Sequence, residues 1–577
     1  MIKNRNRITP RITLVLLFAL IALPFSIDAQ QGTRQAPSRS SVAKPKLVLV
    51  IVIDQFRFDY LERFGDLFGS GGLNRLIRDG ALFTNANYDY VPTFTACGHA
   101  AIFTGSVPAQ NGIVGNAWFD RESGKLRIMV TDDAAHAVTT SGLSTKSGGA
   151  ATPKYLLGTT IGDQMRLSNN FKSKVITASL KDRSAVLPGG HRPNGAFWYN
   201  EANGQFMTSD YYSNTLPAWV SKFDADNKPD RYFRAKWDRV LPPEAYQRAQ
   251  AENLPVQSSA LGTHFPYVIT GGDEKPGPKF YTAFELTPFA SEYLAQFGKA
   301  ALDAESLGAD EFTDLLSISF SSPDLTGHYY GPDSQEVLDS YIRLDRVITD
   351  LLAYVDKKVG LSNTIIAVTG DHGVAPVPEY LKSKGFDAAR IPTKETLAGV
   401  NDALTARFGE GKWILSFVND QLYLDQKLIA EKKIDPAEAE RVAGEAALAT
   451  EGVVNYFTRT QIVAGRMPVG GVARRVTNGF SRERSGDVWL ITKPLWFFAE
   501  GNLATTHGSA YNYDTHVPVI LFGSGVRAGR YHADCTPSDI APTLAALLGI
   551  EPPSNRTGRV LVEALGPSVQ GSMAGGK

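Results

Sequence analysis

Cysteine is nearly missing from this chain, with Cys97 and Cys535 the only two among 577 residues. A disulfide scaffold and a thiolate zinc cluster are excluded, so any metal must be held by oxygen and imidazole. Net charge is missing too, because 59 Lys and Arg balance 59 Asp and Glu. Without a local patch, no positive field gathers nucleic acid or an anionic membrane, and neither is expected as a partner. An internal repeat, a heptad and a G-x-G-x-x-G phosphate fingerprint are also absent; Gly148-Gly149 and Gly271-Gly272 mark loops. The apolar run from Ile12 to Phe25 falls short of the roughly 20 residues needed to span a bilayer. It follows Lys3, Arg5, Arg7 and Arg11 and leads to Ala29, with Ile27 two positions before it. This pattern predicts a secretory signal over 1–29, a Ser/Gln/Pro-rich linker over 30–44, and a periplasmic or secreted protein with no stable membrane anchor after cleavage.

What is present describes a packed α/β protein. Counting glycine and leaving out tyrosine, apolar residues come to about 48%, inside the globular range. Leu47–Ile53 is a continuous Val/Ile/Leu run, as expected of a strand buried on both faces of a parallel sheet. Val175–Leu180, Leu315–Phe320, Thr364–Val368 and Val517–Phe522 have the same character. Helical patterns over Leu73–Asp79, Thr160–Leu167, Ser291–Leu302, Gln335–Lys357 and Pro537–Leu548 alternate with them. The alternation predicts a doubly wound, mostly parallel sheet in one discontinuous domain over 45–565, followed by a flexible tail at 566–577. Residues 190–285, rich in Tyr, Trp, Pro and Asn, and residues 383–497 break the alternation and read as insertions carried on that core.

In such sheets ligands bind beyond the carboxyl ends of the strands. Asp54 ends the first run; Asp324 and His328 follow the third as D-x-x-x-H; Asp371 and His372 follow the fourth as T-G-D-H-G; His507 lies in T-H-G. Singly, each has an ordinary structural explanation: a solvated strand end, a helix cap or a core histidine. Jointly they supply three carboxylates and three imidazoles, enough for two metal ions with three protein ligands each. Three imidazoles favour zinc over magnesium, and Gly327, Gly370 and Gly373 are expected to relax the backbone so that the side chains converge. Thr95 stands where a helix could begin. It is either an N-cap or a hydroxyl presented at the positive end of that helix, where amides can receive a phosphoryl oxygen.

These residues resemble the alkaline phosphatase superfamily, and within it the bacterial phosphate-irrepressible alkaline phosphatases, which are related to the nucleotide pyrophosphatase/phosphodiesterase family. The resemblance rests on V-I-D-Q-F at Asp54, P-T-F-T-A-C-G-H with T-G-S-x-P-A-x-N-G-I-V-G-N from Pro92 to Asn116, S-L-K-D-R, S-S-P-D-L-T-G-H, T-G-D-H-G and T-T-H-G. It implies that Asp324, His328 and His507 bind one Zn2+ and that Asp54, Asp371 and His372 bind the other, with Thr95 as a nucleophile bridging toward the second. It further implies that Asn116 donates to a phosphoryl oxygen, and that Lys181 and Arg183 are the cationic pair of the monoesterase branch. The expected enzyme is a monomeric, two-zinc phosphomonoesterase acting on small phosphate monoesters through a phosphothreonine. A phosphodiesterase or nucleotide pyrophosphatase on the same fold is the alternative. Sulfatase chemistry is disfavoured because Cys97 is followed by Gly98-His99-Ala100-Ala101 and not by the x-P-x-R that those enzymes use. Whether Cys97 and Cys535 pair stays open, and His99, His191 and His516 receive no ligand role.

Overall fold

The computed structural model describes residues 44–574, except 145–149, 253–258 and 499–500. The expected signal and nearly all of the linker lie outside the described residues. Six strands carry the centre of an eleven-stranded sheet: β1 (Leu47–Ile53), β2 (Val175–Ser179), β3 (Gly195–Asn200), β4 (Asp314–Phe320), β5 (Thr364–Thr369) and β6 (Val519–Gly523). Their spatial order is β6-β5-β1-β4-β2-β3. Every residue of β1, β4 and β5 is buried. The strand period explains why. Leu47, Leu49, Ile51 and Ile53 face one core with Tyr293, Phe297, Leu338 and Tyr341, while Val48, Val50 and Val52 face another with Ile102, Phe103, Ile540 and Leu544. Helices therefore cover both faces, as a doubly wound sheet requires.

The five strands from β5 to β3 are parallel, as expected, but the flanks are not. β6 runs antiparallel to β5, and β3 turns back antiparallel into 205–209. The aromatic stretch expected to be an insertion thus contributes strands to the main sheet. Its alternate residues Phe197, Tyr199 and Phe206 lie in the same core as Tyr293 and Phe297, with the Phe206 and Phe297 rings stacked at 3.7 Å. Residues 383–497 do form a layer of their own. An antiparallel sheet of Ile414–Val418, Gln421–Leu424, Val488–Thr492 and Val453–Thr458 packs helices Thr393–Phe408 and Pro436–Ala447 around Trp413 and Leu422. Asn419 and Asp420, both at positive φ, make the two-residue turn of its first hairpin. Asn419 Nδ2 then donates to Ala117 O at 2.7 Å, tying this layer to the main chain beside Asn116. Where a flexible tail is expected, Pro567–Ala574 is helical, and Gln570 donates to Val562 O and Leu565 O.

Register decides where the site forms. Ile53 lies opposite Phe320, Val52 opposite Thr369, and Ser319 opposite Ser179. The residues that follow these strands therefore emerge along one edge of the sheet. Away from that edge, Asp224 makes a separate prediction. It is buried, its Oδ1 accepts from Phe206 N at 3.0 Å, Oδ2 has no hydrogen-bond partner, and burial raises the carboxyl to about 7. A carboxyl raised in the folded state loses stability as pH climbs from its unfolded value near 4 through 7. Asp224→Asn should remove that loss, gaining on the order of 2 kcal/mol relative to wild type between pH 5 and pH 9 in thermal or urea unfolding.

Candidate metal centre and nucleophile

Asp54, one residue past β1, and Asp371, two past β5, arrive at the sheet edge fully buried, and His372 comes with Asp371. Asp324 and His328 sit one turn apart on α3 once α1 (Thr95–Thr104), α2 (Asp182–Gly189) and α3 (Ser322–Tyr330) are numbered along the chain. That spacing puts both side chains on one face. His507 enters from the loop ahead of β6. The six converge as two groups, Asp324/His328/His507 and Asp54/Asp371/His372, with ligand atoms in each within 4.8 Å of one another.

The imidazoles are held in one tautomer. Nδ1 of His328, His372 and His507 stands 2.9, 2.8 and 2.7 Å from the carbonyl oxygens of Thr505, Gly373 and Thr93. A carbonyl only accepts, so each Nδ1 carries a proton and each Nε2 is turned to the centre. Burial opposes charge on His372, yet the Asp371 and Asp54 carboxylates raise it to about 9. Burial pushes His507 well below the ordinary histidine range, aided by His372 stacked on it at 3.6 Å and by His328. Asp371 is raised by burial and by Asp54. Burial would also raise Asp54 and Asp324, but their cationic neighbours hold both carboxyls low, with Lys181 acting on each. Lys181 Nζ lies 2.6 Å from Asp54 Oδ2 and 2.5 Å from Asp324 Oδ2, one member of each group. Asp54 Oδ1 and Asp371 Oδ2 are buried and accept no hydrogen bond, with imidazole nitrogens of His372 and His99 at 3.3 Å. Three buried carboxylates, orphaned oxygens and three inward Nε2 atoms are what a pair of divalent cations requires. The residues fit zinc, whose preference for imidazole and carboxylate they match.

Thr95 lies at the start of α1, one residue inside the N-cap Phe94, so it does not cap the helix. Its Oγ1 is 3.2 Å from His372 Nε2. The next amide, Ala96 N, donates to Asn116 Oδ1 at 3.0 Å, which turns the Asn116 amide toward the same helix end. Lys181 is the N-cap of α2, and Arg183, half-buried, lies in its first turn with Nε buried and unpartnered. Cys97 and Cys535 are free and buried, and burial raises both thiols.

The glycines act differently from expectation. Gly327, Gly370 and Gly373 do not adopt positive φ, and Gly327 lies within α3. Each is instead a place of close approach. A Cβ on Gly327 would stand 1.7 Å from Gln55 Oε1, and one on Gly98 only 2.1 Å from Asp371 O. Gly98→Ala should therefore separate α1 from the Asp371 loop and destabilise the protein by about 3 kcal/mol or more, read by urea unfolding.

Two site residues lack any spacing signature. Gln55 donates from Nε2 to Asp324 Oδ1 at 2.7 Å and from its backbone to Asp371 Oδ1 at 3.1 Å, cross-linking the two groups. His99 is fully buried; its Nδ1 donates to Thr95 O at 2.8 Å and faces Asp371 Oδ2, while Nε2 meets Ser319 Oγ at 2.7 Å. In the sequence, Gln55 is marked only by following Asp54 directly and His99 only by lying four residues beyond Thr95.

Comparison with known proteins places this geometry. The family model for type I phosphodiesterase / nucleotide pyrophosphatase matches residues 48–515. Alkaline phosphatase PhoV of Synechococcus elongatus is 37% identical over 95% of this chain and 99% of its own. Alkaline phosphatase PafA of Elizabethkingia meningoseptica is 36% identical over 93% of this chain and 97% of its own. The crystal structure of wild-type alkaline phosphatase PafA matches with a TM-score of 0.84 at 34% identity, covering 91% of this chain and 100% of that one.

Proposed function

The chain belongs to the type I phosphodiesterase/nucleotide pyrophosphatase family, and from that premise we propose that it is a secreted, two-zinc alkaline phosphatase hydrolysing small phosphate monoesters through a phosphothreonine at Thr95. The observation that carries this reading is the Thr95 hydroxyl at a helix start, 3.2 Å from a histidine of one of two adjoining Asp/His groups. Similarity over nearly the whole chain to two alkaline phosphatases, at 36–37% identity, supports the monoester side of it. Asp324, His328 and His507 would hold one zinc, and Asp54, Asp371 and His372 the other, with Thr95 adjoining the second. Bound there, the ions supply Lewis-acid charge for the attacking and leaving oxygens.

The chain's own residues do the rest. Thr95 Oγ1 attacks phosphorus, the bond to the leaving oxygen breaks, and the hydroxyl proton departs to solvent or to the leaving alkoxide. Water then cleaves the P–Oγ1 bond, returning the threonine and releasing phosphate. The free end of the Asn116 amide donates to a non-bridging oxygen. A monoester dianion carries charge on three such oxygens, and a diester carries less, so Lys181 and Arg183 favour the monoester. Lys181 Nζ pairs with Asp54 and Asp324, and with both groups holding cations its ammonium would be free to meet the phosphoryl group.

A substrate panel tests this. kcat/KM for an aryl phosphate should exceed that for the matching bis-aryl diester and the aryl sulfate, and chelation should abolish all three, with zinc restoring them at two ions per chain. A diester preference would move the chain to the phosphodiesterase alternative.

A further inference from the structure

A cleft of about 470 Å3 opens at the far end of α2, and its walls include Arg166, Phe171, His191, Arg192, Tyr211 and Tyr212. None belongs to the two Asp/His groups. The eight residues of α2 rise about 12 Å, separating Lys181 and Arg183 at its start from Gly190 and His191 at its end.

Two guanidiniums share this cleft, and the carboxylate nearby is already occupied. Asp163 Oδ1 accepts from the backbone amides of His191 and Arg192, and Oδ2 accepts from Thr160 N. Arg166 Nη1 donates to Asn194 Oδ1 at 2.5 Å, but its Nε is buried without a hydrogen-bond partner. Burial and the like charge of Arg192 lower the Arg166 guanidinium, a destabilisation that an anion between the two would relieve. Aromatic faces are left in solvent beside them. Phe171 and Tyr211 are each 44% exposed, and Phe171 sits at a φ of 65°, a conformation that bulky residues avoid. Arg166 lies over the Phe171 ring at 5.2 Å, and Tyr211 is fixed by donating to His191 O at 3.1 Å.

Paired guanidiniums match the oxygens of a phosphate group, and flanking rings match a flat apolar body. We infer that this cleft is a second oxyanion site, taking a phosphate or phosphonate group attached to an aromatic or similarly flat body, with Arg166 and Arg192 on the anion and Phe171 and Tyr211 on the body.

Phenylphosphonate, which has no ester bond to hydrolyse, is the probe. Titrated calorimetrically into the zinc-loaded enzyme, it should bind one more equivalent per chain than into Arg166→Ala/Arg192→Ala. That double variant should keep kcat/KM for an aryl phosphate within about two-fold, since neither residue contacts the metal groups. Inorganic phosphate should fill the second site at least about 5-fold more weakly, lacking a ring to stack. Arg192→Glu, changing an exposed side chain whose backbone amide still serves Asp163, provides the same loss should the double variant not fold. Equal stoichiometry in wild type and variants, or phosphate binding the second site as tightly as phenylphosphonate, would overturn the inference. The count does not depend on which ester the metal centre hydrolyses.

Discussion

Thr95→Ala is expected to lower kcat/KM for an aryl phosphate by at least about 10^3-fold while leaving two zinc ions per chain. The hydroxyl opens α1, the Cys97 thiol in the same turn is buried and donates to Ile113 O, and neither three-residue group includes Thr95. Its loss therefore removes the attacking atom and spares the six ligands. Thr95 is buried and the change deletes one hydroxyl and one methyl, so the fold should persist. Thr95→Ser separates chemistry from packing: it restores the hydroxyl and should recover activity to within about 10-fold of wild type. Zinc counted by elemental analysis, together with steady-state kinetics, checks both variants. Full turnover by the alanine variant would exclude Thr95 as nucleophile.

The second large effect concerns selectivity. Lys181→Ala/Arg183→Ala should lower kcat/KM for the monoester by about 10^2–10^3-fold and for the diester by less than about 10-fold, compressing the ratio between them. The asymmetry follows from charge, because the monoester presents one more anionic oxygen for these groups to meet. Lys181 has a further consequence. In the metal-free protein its ammonium bridges Asp54 and Asp324, so removing it takes a shared cation from two buried carboxylates. The double variant should be less stable than wild type without zinc and should recover part of the difference when zinc is added. Arg183→Ala alone, which leaves that ion pair intact, should shift selectivity without the metal-dependent stability change. An unchanged monoester rate in the double variant would remove the basis for monoester preference.

Much of the centre was readable from sequence because strand ends concentrate it. Continuous apolar runs marked β1, β4 and β5, and parallel register brings whatever follows them to one edge. Asp54, Asp324, His328, Asp371 and His372, which the structure brings together, are thus expected by position, whereas His507, a lone histidine, joins them only through the joint count and the family resemblance. Strand direction is not written in an apolar run, so antiparallel β6 looked like its neighbours. The aromatic strands at 195–209 looked foreign for a related reason: Phe197 and Phe206 meet partners in Pro288–Ala304, nearly a hundred residues on, and no local pattern announces that pairing. Gln55 and His99 escaped because a single polar residue has no period. The glycines were found but misread, since close approach between distant segments, as at Gly327 and Gln55 or Gly373 and Tyr513, leaves the same mark in sequence as backbone freedom.

The most direct measurement is to mix the zinc-loaded enzyme with an aryl phosphate, quench in acid, and map phosphorylation by peptide mass spectrometry. A phosphoryl group on Thr95 in wild type, absent from Thr95→Ala, is the predicted result. A quenched enzyme that turns over substrate yet carries its phosphoryl group on another residue, or on none under conditions where hydrolysis of the covalent intermediate limits turnover, would contradict a threonine nucleophile at this centre.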